Sequence, residues 1–116
     1  MREDGKIDYV EFPATAIPAV KAFYSAAFGW TFVDYGPDYA AVDNASVDGG
    51  FDGDASDENR PKQALVVLYA HDIEAMAAKV TAAGGVITRP IFSFPGGRRF
   101  HFTDPSGNEL GVWSEH

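Results

Sequence analysis

The chain has no cysteine among its 116 residues, which excludes disulfides, thiolate nucleophiles and cysteine-based zinc sites. Any chemistry must come from oxygen and imidazole groups. Basic residues are also scarce: nine Lys and Arg stand against 17 Asp and Glu, a formal net charge of −8. A field of that sign opposes nucleic-acid phosphates and anionic lipid, so neither nucleic acid nor membrane is expected as a partner. No apolar run approaches the roughly 18 residues that span a bilayer, and Met1–Lys6 holds no apolar signal core, so a cytoplasmic protein is expected. A phosphate-binding glycine loop is missing too. Gly49-Gly50 and Gly96-Gly97 are isolated pairs without the lysine such a loop uses.

What is present suits a core. A hydrophobic share of 46% over this length predicts a single globular domain, residues 1–116, with no room for two independent ones. Ile7 to Pro13 reads as a strand with proline at its end. From Ile17 to Phe28, Ile17, Val20, Phe23 or Tyr24, and Ala27 or Phe28 recur at helical spacing; Pro18 suits the first turn and Gly29 a left-handed stop. Three short strands are predicted next, at Trp30–Tyr35, Tyr39–Val42 and Ala45–Phe51. The polar stretch within Asp48–Pro61 supplies a connector, expected as a solvated, mobile loop. Its acidic string fails the calcium-loop pattern, with Asp57 where glycine is needed and Gln63 where the bidentate glutamate belongs.

The order then repeats. Gln63–Ala70 is a β-rich run, Asp72 a natural N-cap with Glu74 in the first turn, and Ile73, Met76, Ala77, Val80 and Ala83 share one helix face. Gly84-Gly85 ends the helix, and strands follow at Val86–Phe94, Arg98–Thr103 and Glu109–Ser114. Ile17 and Ile73 lie 56 positions apart, as do Gly29 and Gly85, whereas Gly50 and Gly111 lie 61 apart. A five-residue insertion near Pro95-Gly96-Gly97 accounts for the difference. The predicted fold is α+β: two tandem βαβββ modules, about 1–56 and 57–116, forming a curved mixed sheet around a cavity with the helices outside.

The string Gly97-Arg98-Arg99-Phe100-His101-Phe102-Thr103-Asp104-Pro105-Ser106-Gly107-Asn108 resembles the signature that closes the second module in the vicinal oxygen chelate superfamily, which includes glyoxalase I, bleomycin- and fosfomycin-resistance proteins and extradiol dioxygenases. Asp104 and Asn108 would cap a tight turn, with Gly107 at positive φ. Val10-Glu11-Phe12-Pro13, Lys21-Ala22-Phe23-Tyr24 and Phe28-Gly29-Trp30 resemble the family's first module, so the likeness covers nearly the whole chain. The resemblance implies four metal-ligand positions, on the first and last strand of each module. These fall at Tyr9, Gly50, Leu65 and Gly111, where glycine and leucine offer no ligand atom and a neutral phenol is a poor one. No metal and no cofactor are expected there. A one-residue slip brings Glu109 or Val112 into question without restoring four ligands.

Among individual residues, His101 stands out. Its neighbour Phe102 should pack under the helices, which turns His101 to the opposite face, where the resemblance places ligand contacts; it could serve as acid, base or donor, or simply bond a strand neighbour. Arg99 shares that face and could hold a carboxylate or phosphate, or be a solvated strand arginine. Glu11 faces the same way as Tyr9, as a general base or as a structural group paired with Arg99 or His101. Trp113 shares a face with Glu109 and Gly111 and could form an aromatic wall or pack in the core. Gly50 and Gly111 would enlarge the cavity where a metal otherwise sits. His71 and His116 read as surface residues. Together these predict a metal-independent protein that binds a small planar or anionic organic molecule through Tyr9, Glu11, Leu65, Arg99, His101 and Trp113. The alternatives are a lyase or isomerase that uses His101 or Glu11 as acid-base group, with or without a divalent metal, and a dimerisation module with a vestigial pocket. The resemblance also implies a homodimer.

Overall fold

The structure, a computed structural model, describes residues 2–116. Two βαβββ modules follow one another: β1 (Ile7–Pro13), α1 (Ile17–Phe28), β2 (Phe32–Asp34), β3 (Tyr39–Val42) and β4 (Gly49–Asp52), then β5 (Leu65–Tyr69), α2 (Ile73–Ala82), β6 (Val86–Phe94), β7 (Gly97–Thr103) and β8 (Glu109–Ser114). The fold is α+β with mixed strand pairing, as expected. Tyr9–Leu65 forms one compact unit, called here the first; Val66–His116, with the residues up to Asp8, forms the second. In the first, strands run in the order β2-β3-β4-β1, parallel only at β1–β4. In the second the order is β5-β8-β7-β6, parallel only at β5–β8.

Local chemistry explains the helix ends. Gly29 adopts φ 73 and closes α1 through its N–H to Ser25 O, a left-handed stop that a side chain would resist. At α2, Asp72 accepts from the Ala75 N–H and Glu74 sits in the positive first turn. Arg98 then bonds Glu74 through both guanidinium nitrogens, at 2.5 and 3.2 Å, tying β7 to the helix.

Each helix covers one face of its own strands. In the first unit Ile17, Ala40, Val42 and Phe51 are buried together, with Val20, Tyr24 and Trp30 against them. The helical spacing left Phe23 or Tyr24 open, and the structure chooses Tyr24, which stacks on Trp30 at 4.7 Å. Phe23 and Phe28 are instead 58% and 64% exposed. In the second unit Ile73, Phe100 and Val112 form the core, with Met76, Ala77, Val80 and Phe102 packed on it.

Register sharpens the repeat. Glu11 lies opposite Gly50 and Ala41 opposite Gly50; Val67 lies opposite Gly111 and His101 opposite Gly111. Positions on β1 and β5 are thus 56 apart, those on β3 and β7 60 apart, and those on β4 and β8 61 apart. The expected five-residue insertion therefore divides: four residues enter before β7 and one in the turn before β8. Three strands are shorter than expected: β5 keeps only Leu65–Tyr69, and β2 and β4 begin late. Asn44 bonds Gly29 O and Thr31 N through its side chain, so the chain enters β2 only at Phe32, and the segment before Gly49 bends with Ser46 at φ 78. The connector carries local hydrogen bonds. Successive Asx turns at Asp52, Asp54 and Asp57 fold it, Arg60 bonds Ala14 O, and Asp52 and Pro61 are buried.

Phe100 is completely buried beneath α2. Phe100→Ala should cost about 3–5 kcal/mol, read as a lower midpoint of chemical unfolding.

Candidate functional site

Period-two alternation turns Tyr9 and Glu11 to the face of β1 opposite Val10 and Phe12, and Phe12 packs on the α1 core. On that face the Tyr9 and Tyr39 hydroxyls are 2.6 Å apart, and Tyr39 donates to Glu11 Oε2 at 3.1 Å. Tyr39 has one proton, so its donation to Glu11 obliges Tyr9 to donate to Tyr39. The result is a directed chain from Tyr9 through Tyr39 to a carboxylate only 5% exposed. Burial raises the Tyr9 phenol to about 12, and burial with the nearby Glu11 charge raises Tyr39 as well, so both stay protonated at neutral pH.

Gly50 does not enlarge a cavity as expected. A Cβ built on it would fall on the Tyr9 and Tyr39 hydroxyls, so the space left by the missing side chain is filled by two phenols. Asp52, two residues on, shares this face of β4. Its carboxyl is raised from the usual 3.8 to about 7, by burial first and then by its hydrogen bond with Asp57. The first unit also holds a cleft of about 180 Å³ lined by Val10, Phe12, Trp30, Val42 and Val47, on the helix side of β1 and away from Tyr9 and Glu11.

In the second unit Phe100 and Phe102 face α2, which turns Arg99 and His101 to the other side, as expected. His101 is 4% exposed, crosses Phe92 edge to face at 5.7 Å and brings Nδ1 within 3.8 Å of Glu109 Oε2. Arg99 sits opposite Trp113 on β8, its guanidinium 5.5 Å from the Phe92 ring and 5.9 Å from Phe94. The Trp113 indole donates to Asp8 at 2.8 Å and carries Arg2 over its ring at 5.1 Å. Leu65 is buried at the start of β5, on the strand face of Val67 and Tyr69, and offers only hydrocarbon. His71 and His116 are exposed.

The structure thus joins Tyr9 to Glu11 through Tyr39, and sets Arg99, His101 and Trp113 on one face of neighbouring strands. Tyr39, Asp52, Phe92 and Phe94 were not singled out from the sequence. For Tyr39 a signal existed: it pairs with Asp52 as Arg99 pairs with Trp113, so the repeat carries the Arg99 position over to Tyr39.

The four positions at which the resemblance places metal ligands do not fit a divalent ion. Gly50 and Gly111 have no side chain, Leu65 is apolar, and the Tyr9 phenol holds its proton and spends it on Tyr39. Among the described residues no three His, Cys, Asp or Glu side chains form a group that could hold a metal ion. Nor is any helix among them long and apolar enough to cross a membrane.

Comparison with known proteins gives a consistent picture. A family model described as Glyoxalase/Bleomycin resistance protein/Dioxygenase superfamily matches residues 6–112. The protein named "Putative glyoxylase CFP32", from Mycobacterium bovis and from Mycobacterium tuberculosis, is 27% identical over 121 residues; the match takes in 94% of this chain but 45% of that protein. The chain therefore spans less than half the length of these curated relatives. Among solved structures, the Mn(II)-bound glyoxalase from Novosphingobium aromaticivorans superposes with a TM-score of 0.65 at 23% identity, over 99% of this chain and 40% of that one. Methylmalonyl-CoA epimerase from Mycobacterium tuberculosis gives 0.68 at 12% identity, over 98% and 90%. At these identities the structures establish the fold alone.

Two outcomes follow from the first unit. Gly50→Ala should push the phenols apart and cost about 1–3 kcal/mol, measured by chemical unfolding together with the tyrosine absorption spectrum. Asp52 keeps its proton in the folded chain to about 7 but loses it near 3.8 when unfolded, so the folded state binds more protons between those values. The contribution of Asp52 to stability should therefore fall as pH rises from about 4 to 7 and level off above. Asp52→Asn should flatten that fall and raise the melting temperature at pH 8.

Proposed function

Because the chain belongs to the Glyoxalase/Bleomycin resistance protein/Dioxygenase superfamily, we propose that it is a small-molecule-binding member that works without a divalent metal. The observation that carries this reading is the filling of the Gly50 space by the Tyr9 and Tyr39 hydroxyls. A ligand side chain cannot be accommodated there without displacing that pair. The ligand contacts we assign are Tyr9, Glu11 and Leu65 in the first unit and Arg99, His101 and Trp113 in the second. Arg99 suits an anionic group, being a fixed fork of donors held against two aromatic rings. Trp113 adds a flat surface for a planar ligand. Binding alone needs no further chemistry. The homodimer and the cytoplasmic location belong to the same proposal.

A second reading, a lyase or isomerase, is favoured by one specific feature: the His101 imidazole is buried with the Glu109 carboxylate 3.8 Å from Nδ1. A carboxylate there would orient the ring and stabilise its protonated form, as acid-base work requires. The fold is also that of an epimerase, although fold does not fix chemistry.

Metal content by elemental analysis decides the first point. The purified protein should carry no stoichiometric metal, and added Ni²⁺, Zn²⁺, Mn²⁺ or Fe²⁺ should leave its melting temperature unchanged. An ion bound at a hundredfold excess over its Kd would instead add about 2.7 kcal/mol. Stoichiometric metal or a shift of several degrees overturns the metal-free reading. His101→Ala separates the other two: lost ligand affinity without turnover supports binding, whereas lost turnover with affinity kept supports the enzyme.

A further inference from the structure

We propose that Trp113 and Asp8 form a seat for a planar cation, an amidinium or guanidinium, and that Arg2 fills this seat from within as a tethered stand-in that a ligand must displace. The proposal rests on the small-molecule reading above and deepens it by naming the group that Trp113 takes.

Arg2 itself shows the chemistry of the seat. Its guanidinium carbon lies 5.1 Å from the centre of the Trp113 ring, and its Nε donates to Asp8 Oδ2 at 3.1 Å. The Trp113 indole N–H donates to the same oxygen at 2.8 Å. The two contacts ask for different properties. A ring face attracts positive charge, and a carboxylate asks for an N–H beside it; a flat cation with N–H groups on its rim meets both at once. The ring is also held in place, since the fully buried Tyr69 meets it edge to face at 5.3 Å and Phe94 lies 6.3 Å away.

The way Arg2 is held makes it displaceable. Lys6 N–H donates to Glu3 O at 3.3 Å, closing a turn in which Gly5 has φ 74. The Gly5 N–H and the Lys6 carbonyl then bond Tyr69 of β5 at 2.9 and 3.2 Å. Asp4 Oδ1 accepts the His71 backbone N–H at 2.7 Å and lies 2.7 Å from His71 Nδ1. Residues 2–6 are nevertheless exposed throughout, and the Arg2 side chain is 41% exposed against 17% for Asp8. An ion pair this open holds weakly, whereas Trp113 is fixed by the pairing of β8 with β5 and β7. Lifting the strap therefore leaves the seat standing. Of the two donors that Asp8 Oδ2 accepts, only Arg2 is charged, so a cation that replaces Arg2 restores the pairing and a neutral molecule does not.

The test titrates three probes of one shape, benzamidinium, benzamide and benzoate, at pH 7 into the ¹⁵N-labelled parent chain and its Arg2→Ala variant. The signal followed is the indole N–H of Trp113, identified by its loss in Trp113→Phe, with Trp30 as internal reference. In Arg2→Ala, benzamidinium should move that signal saturably and benzoate should not. The parent should bind benzamidinium more weakly, by about tenfold if its seat is open in about one molecule in ten. Adding Asp8→Asn keeps an oxygen for the indole but removes the charge, and should bring benzamidinium down to the affinity of benzamide. Preserved amide dispersion shows that each variant is folded. The proposal falls if benzamidinium leaves the indole of Arg2→Ala in place, if it binds that variant no tighter than the parent, if benzamide or benzoate binds there as tightly, or if Asp8→Asn keeps the preference. If the indole stays in place while a probe moves the amides of Arg99 or His101, the seat is refuted and the small-molecule reading survives. No movement of any signal counts against both.

Discussion

The packing of each helix on the strands of its own unit decides where every other strand side chain points. Ile73, Met76 and Val80 of α2 need an apolar surface, and Phe100, Phe102 and Val112 provide it. Because strand side chains alternate, giving that face to the helix commits Arg99, His101, Gly111 and Trp113 to the other. The same holds in the first unit. Phe12, Val42 and Phe51 go to α1, and Tyr9, Glu11, Gly50 and Asp52 are left on the opposite face. The placement of the polar groups is thus a consequence of hydrophobic burial, and a slip of one residue in any strand would exchange the two sets.

A carboxylate placed on such a face needs a donor. Leaving Glu11 buried without one would cost several kcal/mol, and one donor comes from across the sheet. Tyr39 is long enough to reach it from β3, two strands away, and it passes over β4 to do so. That route is open only because β4 has glycine at position 50. The buried charge, the phenol that serves it and the absent side chain between them form one requirement, and the second phenol, Tyr9, completes it from the strand that bears Glu11 itself.

Much of this was legible in the sequence, and the reasons are local. Helix bounds were marked by Pro18, Gly29 and Asp72, residues whose backbone preferences or capping groups act within one turn, and the strand alternation that faces His101 away from Phe100 and Phe102 is equally short-ranged. The connections between strands were less legible. Ala45–Asp48 has apolar residues at strand spacing, yet it bends, because Asn44 is occupied in holding Gly29 and Thr31 and the chain must turn before β4. Asp52, Asp54 and Asp57 looked like solvent-facing charge, and each also closes a turn on its own backbone. Hydrogen-bond partners across strands were hidden altogether: Tyr39 and Glu11 are 28 residues apart, and only register brings them together.

Comparing equivalent positions shows how one scaffold has taken on two chemistries. The glycines at 50 and 111 are retained in both modules, yet the residues around them differ in kind. Glu11 on β1 corresponds to Val67 on β5, Tyr9 to Leu65, Tyr39 to Arg99, Ala41 to His101 and Asp52 to Trp113. The first module therefore gathers acids and phenols, whose oxygens accept hydrogen bonds, and the second gathers a guanidinium, an imidazole and an indole, which donate them or stack. Gly50 is filled from within its unit by phenol hydroxyls, and in the second unit His101 lies directly across from Gly111. Duplicated backbone geometry keeps the places; the choice of side chain at each place, and the field those side chains create, is what separates a metal-ligand set from a hydrogen-bonding one.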